Sequence, residues 1–258
     1  MLNIHVCIKQ SVDVNSLEFD PATLSPMIEK AEFRIGDAEL NAIEEAVRIK
    51  EKMDGKVSLL CVGHDVRPAV LREALAMGAD EAYVVSDSRL RNADQWVYAN
   101  ILAYLSRVAG IPDLILCGES SLDEGAYQVG PRIAEELDLP SVTHAVKLEI
   151  MGDYIIAERI VEDGIETLKA KLPAVVSVCL EINTPRLPSV LMIRAASKKP
   201  INFIPLDSIN LPRERFRSLV KLQEVKVIKT KRKNVVLSGS LEEIARKVIT
   251  IIQSEGRE

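Results

Sequence analysis

The residue types that carry chemistry are sparse in this chain. Cys7, Cys61, Cys117 and Cys179 each sit inside an apolar, strand-like run, with no CxxC pair and no metal-ligand spacing. They read as buried, reduced thiols acting as small hydrophobes. His5, His64 and His144 are scattered and have no partner cluster. Asp123 and Glu124 are adjacent carboxylates, and Glu162 and Asp163 belong to a turn; sequence neighbours seldom make an acid/base pair. No Ser-His-Asp or Cys-His arrangement stands out. The densest set of ligand-capable residues runs from Cys117 to Pro131, CGESSLDEGAYQVGP. A buried strand ends there, a small polar loop follows, and a helix begins. Gly125 and Gly130 allow close backbone approach, and Ser120, Ser121 and Gln128 offer hydrogen bonds to phosphate or ribose. Asp123 is a candidate for a ribose hydroxyl or an adenine amino group. Pro131 suits the first helical turn, and Ile133, Ala134 and Leu137 give that helix an apolar face. Free N–H groups and the positive dipole end make phosphate a natural occupant. The stretch is neither a P-loop nor a GxGxxG fingerprint, and an ordinary strand-to-helix connection shares its composition. The chemistry favours holding a cofactor over breaking a bond.

The elements around this turn are legible. Asn3 to Ile8, Val57 to Val62, Ala82 to Val85 and Leu114 to Cys117 are unbroken apolar strands. Helical spacing covers Asp37 to Met53, Pro68 to Met77 and Ala93 to Val108. Asp37 is the expected N-cap of the first helix and Gly55 its stop. Buried strands alternating with helices predict an α/β fold, a mostly parallel, Rossmann-like sheet with helices on both faces. Ligands of such sheets bind at the carboxyl ends of strands, where Gly63 and Gly118 stand here. After Pro140 the pattern changes to an added β-hairpin region: Val142 to Ile150, Tyr154 to Val161 and Glu166 to Lys171, with turns at Gly152-Asp153 and Asp163-Gly164. Pro173 to Leu180 is a further buried strand, and Asn183 to Pro200 an exposed loop with a short helix. The expected division is an α/β domain over 1–205 and an extended C-terminal arm over 206–258. Within that arm lie a basic run, Lys229 to Lys233, and a helix, Leu241 to Ile252, opened by a Ser240–Glu243 capping box.

The 258 residues suffice for one large domain with an appendage, and 47% are apolar, enough for a full core. A net charge of −5 argues against a nucleic-acid partner. No apolar run of about 18 residues exists, so no transmembrane segment is expected. The opening residues, MLNIHVCIKQ, show no targeting leader, which makes a cytoplasmic location the expectation.

A longer run is more specific. Ala157 to Ser177, AERIVEDGIETLKAKLPAVVS, resembles the signature of the electron-transfer flavoprotein β subunit. Its marks are a basic residue, an acidic-glycine turn, Glu166, Leu168, Pro173 and an apolar strand; Asn183-Thr184-Pro185-Arg186 follows at the usual distance. Ala42 to Lys50 and Ala74 to Asp80 also resemble family stretches, and the likeness runs from residue 1 to about 205. The resemblance implies pairing with an α subunit that holds most of an electron-transferring FAD. It implies a buried adenine nucleotide in the β subunit, AMP in simple members and a second FAD in electron-bifurcating ones. The family's nucleotide positions fall on Cys7, on Gly36, Asp37, Ala38 and Glu39, and on Val62 and Gly63. They continue through Gly118 and along the turn, Asp123, Glu124, Gly125, Ala126, Tyr127, Gln128, Val129, Gly130, Pro131 and Ala134. Gly36-Asp37-Ala38 replaces the frequent Asn-Pro-aromatic, and Val14 replaces an aromatic that simple members place near the α-subunit flavin. Ala126 to Pro131 is similar to the Ala-Gln-Val-Gly-Pro run of bifurcating members, which favours FAD over AMP. Such a system splits electron pairs from NADH between a ferredoxin or flavodoxin and a quinone. Arg186 to Ala196 matches the family's recognition loop, with Val190 and Leu191 as anchors for a partner dehydrogenase or quinone reductase. The competing reading is a stand-alone, stress-type ATP-binding module or an adenine-nucleotide hydrolase, whose alternating half would look alike.

Overall fold

The computed structural model describes residues 1–227 and 234–255. The basic run at 229–233 lies outside them. Strand β1 (Leu2–Ile8) shows how the sequence builds two cores at once. Ile4, Val6 and Ile8 join one hydrophobic cluster and Cys7 another, the two-residue period of an extended chain buried on both faces. A small antiparallel pair follows, β2 (Gln10–Val12) with β3 (Phe33–Ile35), which sequence reading missed because three residues give too few alternations. Then come α1 (Asp37–Met53), β4 (Gly55–Gly63), α2 (Pro68–Ala76), β5 (Glu81–Ser86), α3 (Gln95–Ala109), β6 (Leu114–Gly118) and α4 (Val129–Leu137). The chain continues through β7 (Ser141–Met151), β8 (Tyr154–Val161), β9 (Gly164–Lys171), β10 (Ala174–Val178), α5 (Val190–Ala196) and β11 (Ile201–Phe203).

The ends of α1 differ from expectation. Gly36 is the N-cap and Asp37 the first helical residue, where its charge suits the positive helix end and pairs with Arg34. The helix stops at Asp54, in the left-handed region at φ 54°, and Gly55 already opens β4.

Nine strands form one sheet in the order β11-β5-β4-β1-β6-β10-β7-β8-β9. Pairings are parallel from β11 to β7, and β7, β8 and β9 are antiparallel. The expected α/β architecture is therefore present, hairpin region included. Helices α1 and α2 pack on one face, and α3 and α4 on the other. The first turns of the chain extend the sheet from β1 through β4 to β5. It then returns to place β6 on the other side of β1, so the strand order reverses between β1 and β6.

Met1–Val225 form one compact unit and Lys226–Glu258 a second. The first unit runs past the expected boundary at 205. Leu206, Ile209, Leu211 and Phe216 pack into the core on the α3 and α4 face. The Asp94 carboxylate also accepts the N–H groups of Leu219 (2.6 Å) and Val220 (3.0 Å). In the second unit, α6 (Leu241–Glu255) opens with the expected capping box. Ser240 N–H donates to Glu243 Oε2 at 2.9 Å, and Glu243 N–H to Ser240 Oγ at 3.4 Å. Among the described residues no helix is long and apolar enough to cross a membrane.

Candidate nucleotide-binding site

Cys7 of β1 and Cys117 of β6 are register partners at the carboxyl ends of their strands. A cleft open to solvent begins there. This is the strand-order reversal, where open α/β sheets bind ligands. Cys7, Val62, Leu102, Cys117 and Glu39 are its buried lining. The turn after β6 supplies Glu119, Ser120, Ser121, Glu124, Ala126, Tyr127 and Gln128, and α4 supplies Val129. From α3 come Gln95, Tyr98 and Leu102, spaced three and four residues apart on one helix face.

Gly118 positions α1 against β6. A Cβ there would lie 2.9 Å from Ala38 Cβ and from Glu39 N, so only glycine admits the helix end at this distance. The turn is then tied on two sides. Lys9 Nζ, just beyond β1, reaches Asp123 Oδ1 at 2.7 Å and Glu124 Oε1 at 3.3 Å. Gln95 Nε2 donates to Glu124 Oε2 at 2.9 Å. Gly125 and Tyr127 turn the chain with φ of 57° and 56°. The Tyr127 ring stacks on His144 at 5.9 Å between centroids.

All four thiols are buried. A hydrogen bond with Cys117 and burial hold the Cys7 thiol well above its ordinary range. Burial pushes Cys61 up to about 12. Burial and the hydrogen bond to Glu119 do the same for Cys179, also to about 12. Burial lowers His5 to about 4, and it is fixed to Ser106 Oγ at 2.9 Å from Nδ1. Among the described residues no group of His, Cys, Asp or Glu is arranged to hold a metal ion.

Of the expected cofactor residues, Cys7, Glu39, Val62, Gly118, Glu124, Ala126, Tyr127, Gln128 and Val129 line the cleft. Gly63 and Asp123 line an adjoining cleft that shares Lys9, Val62, Tyr98 and Glu124 with it. Gly36, Asp37, Ala38, Gly125, Gly130, Pro131 and Ala134 stand outside both linings. Gly130 faces Ser177 of β10, and Ala134 is in the core on that face. Three expected ligand groups already have protein partners: Asp123 bonds Lys9, Glu124 bonds Lys9 and Gln95, and Gln128 Oε1 accepts from Arg132. Sequence reasoning missed Lys9, Gln95, Tyr98, Leu102 and Glu119. Lys9 was findable as the residue just past a strand end, and the α3 residues as one helix stripe.

A model of the electron transfer flavoprotein domain matches residues 27–208. The chain belongs to the electron transfer flavoprotein family. Several of its relatives are named subunit beta. It is 36% identical to the electron transfer flavoprotein subunit beta of Thermoanaerobacterium thermosaccharolyticum, over 98% of each chain. It is 34% identical to the subunit beta of Bacillus subtilis over 99% of each. Identity is 35% to subunit CarD of the caffeyl-CoA reductase-Etf complex of Acetobacterium woodii, over 83% of this chain and 82% of that one. Electron transfer flavoprotein β subunits pair with an α subunit and serve electron transfer. The residues of this β subunit fit an adenine nucleotide by their chemistry, an apolar buried lining of Cys7, Val62 and Leu102 beside a turn that carries the hydroxyls of Ser120 and Ser121. Glu39 also lines the cleft, while its Oε2 is buried beside Gly36 without a hydrogen-bond partner among the described residues. The hydroxyls of Ser120 and Ser121 are the groups that would hold phosphate.

Proposed function

We propose that this β subunit, paired with its α subunit, holds an adenine nucleotide in the β1/β6 cleft, and that the nucleotide is FAD. The observation that carries the reading is the convergence of nine expected cofactor residues on one cleft at the strand-order reversal. Preference for FAD over AMP rests on the Ala126 to Pro131 run and is supported by the similarity to CarD. A flavin there supplies one- and two-electron chemistry. The chain's own part is to bury the nucleotide against Cys7, Val62 and Leu102, to meet it with Glu39, and to position the Ser120–Gln128 turn through Lys9 and Gln95. In this proposal a second FAD is held mainly by the α subunit. NADH is the donor, and a ferredoxin-like protein and a quinone-linked partner are the acceptors. Partner dehydrogenases or reductases dock on α5, where Val190 and Leu191 are 81% and 77% exposed. In this proposal Arg186 to Ala196 is the recognition loop.

The test is to co-purify the chain with its α subunit, denature the complex and separate the released cofactors by chromatography. Two FAD per heterodimer is the expected result. One FAD with one AMP would demote the bifurcating reading to a simple carrier. Absence of flavin and adenine nucleotide would sink it, and Mg·ATP hydrolysis by the isolated chain would favour the stand-alone module.

A further inference from the structure

Two of the four thiols stand side by side at the floor of the cleft. Cys7 of β1 and Cys117 of β6 are register partners, and both lie on the α3 and α4 face of the sheet. Neighbouring strands lie about 4.8 Å apart, inside the Cα separation of about 4.4–6.8 Å that a disulfide spans. The Cys7 thiol is hydrogen-bonded with Cys117. Both residues line the cleft, which opens to solvent. The other two thiols are placed differently. Cys61 lies on the opposite face, in register with Ile8 and Val84, and Cys179 donates to Glu119 Oε2 at 3.1 Å. Closing a Cys7–Cys117 bond needs the Cβ atoms at about 3.8 Å, nearer than the strand spacing, so β1 and β6 must draw together at this point. A disulfide closed at that cost is readily reduced again, which suits a switch rather than a permanent link. The same movement reshapes the floor against which a nucleotide is buried. The bond to Cys117 and burial keep the Cys7 thiol protonated, so exchange is slow at neutral pH and quickens as pH rises.

Resting in its second half on the nucleotide reading of this cleft, we propose that Cys7 and Cys117 are a reversible modification site. A low-molecular-mass disulfide of the glutathione type oxidises the pair in the empty cleft, and the bond formed opposes nucleotide binding. One protein thiolate attacks glutathione disulfide and releases a first glutathione. The second protein thiol then displaces the other glutathione and closes the Cys7–Cys117 bond. Two electrons and two protons leave the pair, and two glutathione thiols carry them away. By linkage, nucleotide opposes the disulfide by the same factor. The experiment uses the full-length chain with its α subunit, stripped of nucleotide and held with glutathione disulfide at about pH 8.5, the ordinary thiol pKa. Peptide mapping without reductant should find Cys7 joined to Cys117, with Cys61 and Cys179 outside the link, and dithiothreitol should undo it. Calorimetric titration with AMP, and separately with FAD, should give an affinity at least about tenfold lower in the oxidised than in the reduced complex. Cys117→Ser cannot form the link, so the oxidant should leave its AMP affinity where it was. A pair left unjoined in the empty complex would overturn the proposal. So would a mapped disulfide with undiminished affinity, or an equal loss of affinity in oxidised Cys117→Ser. If that variant does not fold, the peptide map and the two affinities of the unaltered complex decide. Binding of neither nucleotide to the reduced complex would overturn the nucleotide reading and the second half of this proposal, while the peptide map still decides the disulfide.

Discussion

At position 130 the missing side chain is required by the sheet. A Cβ on Gly130 would collide with Ser177 Oγ, while the next atoms, Ser177 Cβ and Cys117 Cβ, are at 3.7 Å, ordinary contact. Gly130→Ala should destabilise the chain by about 1–3 kcal/mol in urea unfolding, the range for overpacking. Adding Ser177→Ala should recover most of that loss; no recovery would mean that another contact demands the glycine. Glu39 makes a second prediction at this scale. Burial first, then Asp123 and Asp37, push its carboxyl up to about 7. The native state therefore holds a proton that the unfolded chain releases between about pH 4.3 and 7. The stabilising contribution is complete below that window and is lost as pH rises through 7. In nucleotide-free protein, Glu39→Gln should gain up to about 3 kcal/mol over the unaltered chain at pH 8 and much less at pH 5. Chemical unfolding at the two pH values checks this.

Among the elements, α5 depends on a polar anchor that its own sequence does not contain. Glu44 of α1 is 3% exposed and accepts from Arg186 Nε at 2.8 Å, from Arg186 N–H at 3.1 Å and from Arg48 Nε at 2.7 Å. Arg186 Nη1 also reaches Glu51 at 2.6 Å, and Asn183 and Asn41 bond each other beside it. These bonds hold the segment before α5, and Ser189 Oγ caps the helix by accepting the Met192 N–H. Arg186→Ala leaves Glu44 buried with Arg48 alone. The expected cost is about 2 kcal/mol, below the 3–5 kcal/mol of a pair broken outright, because Arg48 remains. Limited proteolysis should show faster cleavage between residues 184 and 199. Leu191→Asp tests the other side of the same helix. Its side chain is exposed, so stability should stay within about 0.5 kcal/mol while electron transfer with the docking partner falls at least about tenfold. Equal loss of stability and transfer would mean that Leu191 packs in the assembled protein and is no docking anchor.

For the whole molecule, the reversal of strand order is the decisive feature. It brings the ends of β1 and β6 side by side, and Gly118 lets α1 close against them. Gly118→Ala forces Ala38 and Glu39 away from β6. It should therefore lower both nucleotide content and unfolding stability, the latter by about 1–3 kcal/mol. Nucleotide analysis and urea unfolding of the purified variant measure the two effects. Full nucleotide content in a destabilised variant would separate the packing role from the binding role.

The sequence by itself determined the class of fold and the family. Unbroken apolar strands alternating with helices can bury both faces only in a parallel, helix-covered sheet. The Ala157 to Ser177 signature is local, so it reads directly off the chain, as does the capping box of α6, which involves residues three apart. The Cys117 to Pro131 turn was legible for the same reason. Tertiary structure alone decided what each of its residues faces. Gly130 turned to Ser177 and Asp123 to Lys9, partners that spacing along the chain does not rank. It also brought Tyr98 and Leu102 of α3 to a cleft opened by β1 and β6. The Asp37 cap failed because one residue's shift in helix start costs little, and the bond of Asp37 with Arg34 favoured placing it inside the helix. The extension from 205 to 225 was hidden because prolines and alternating charge mask the few apolar residues that dock. Glu39 reads in sequence as an ordinary first-turn acid. Only burial, an unpartnered oxygen and the acids around it make it the group on which pH acts.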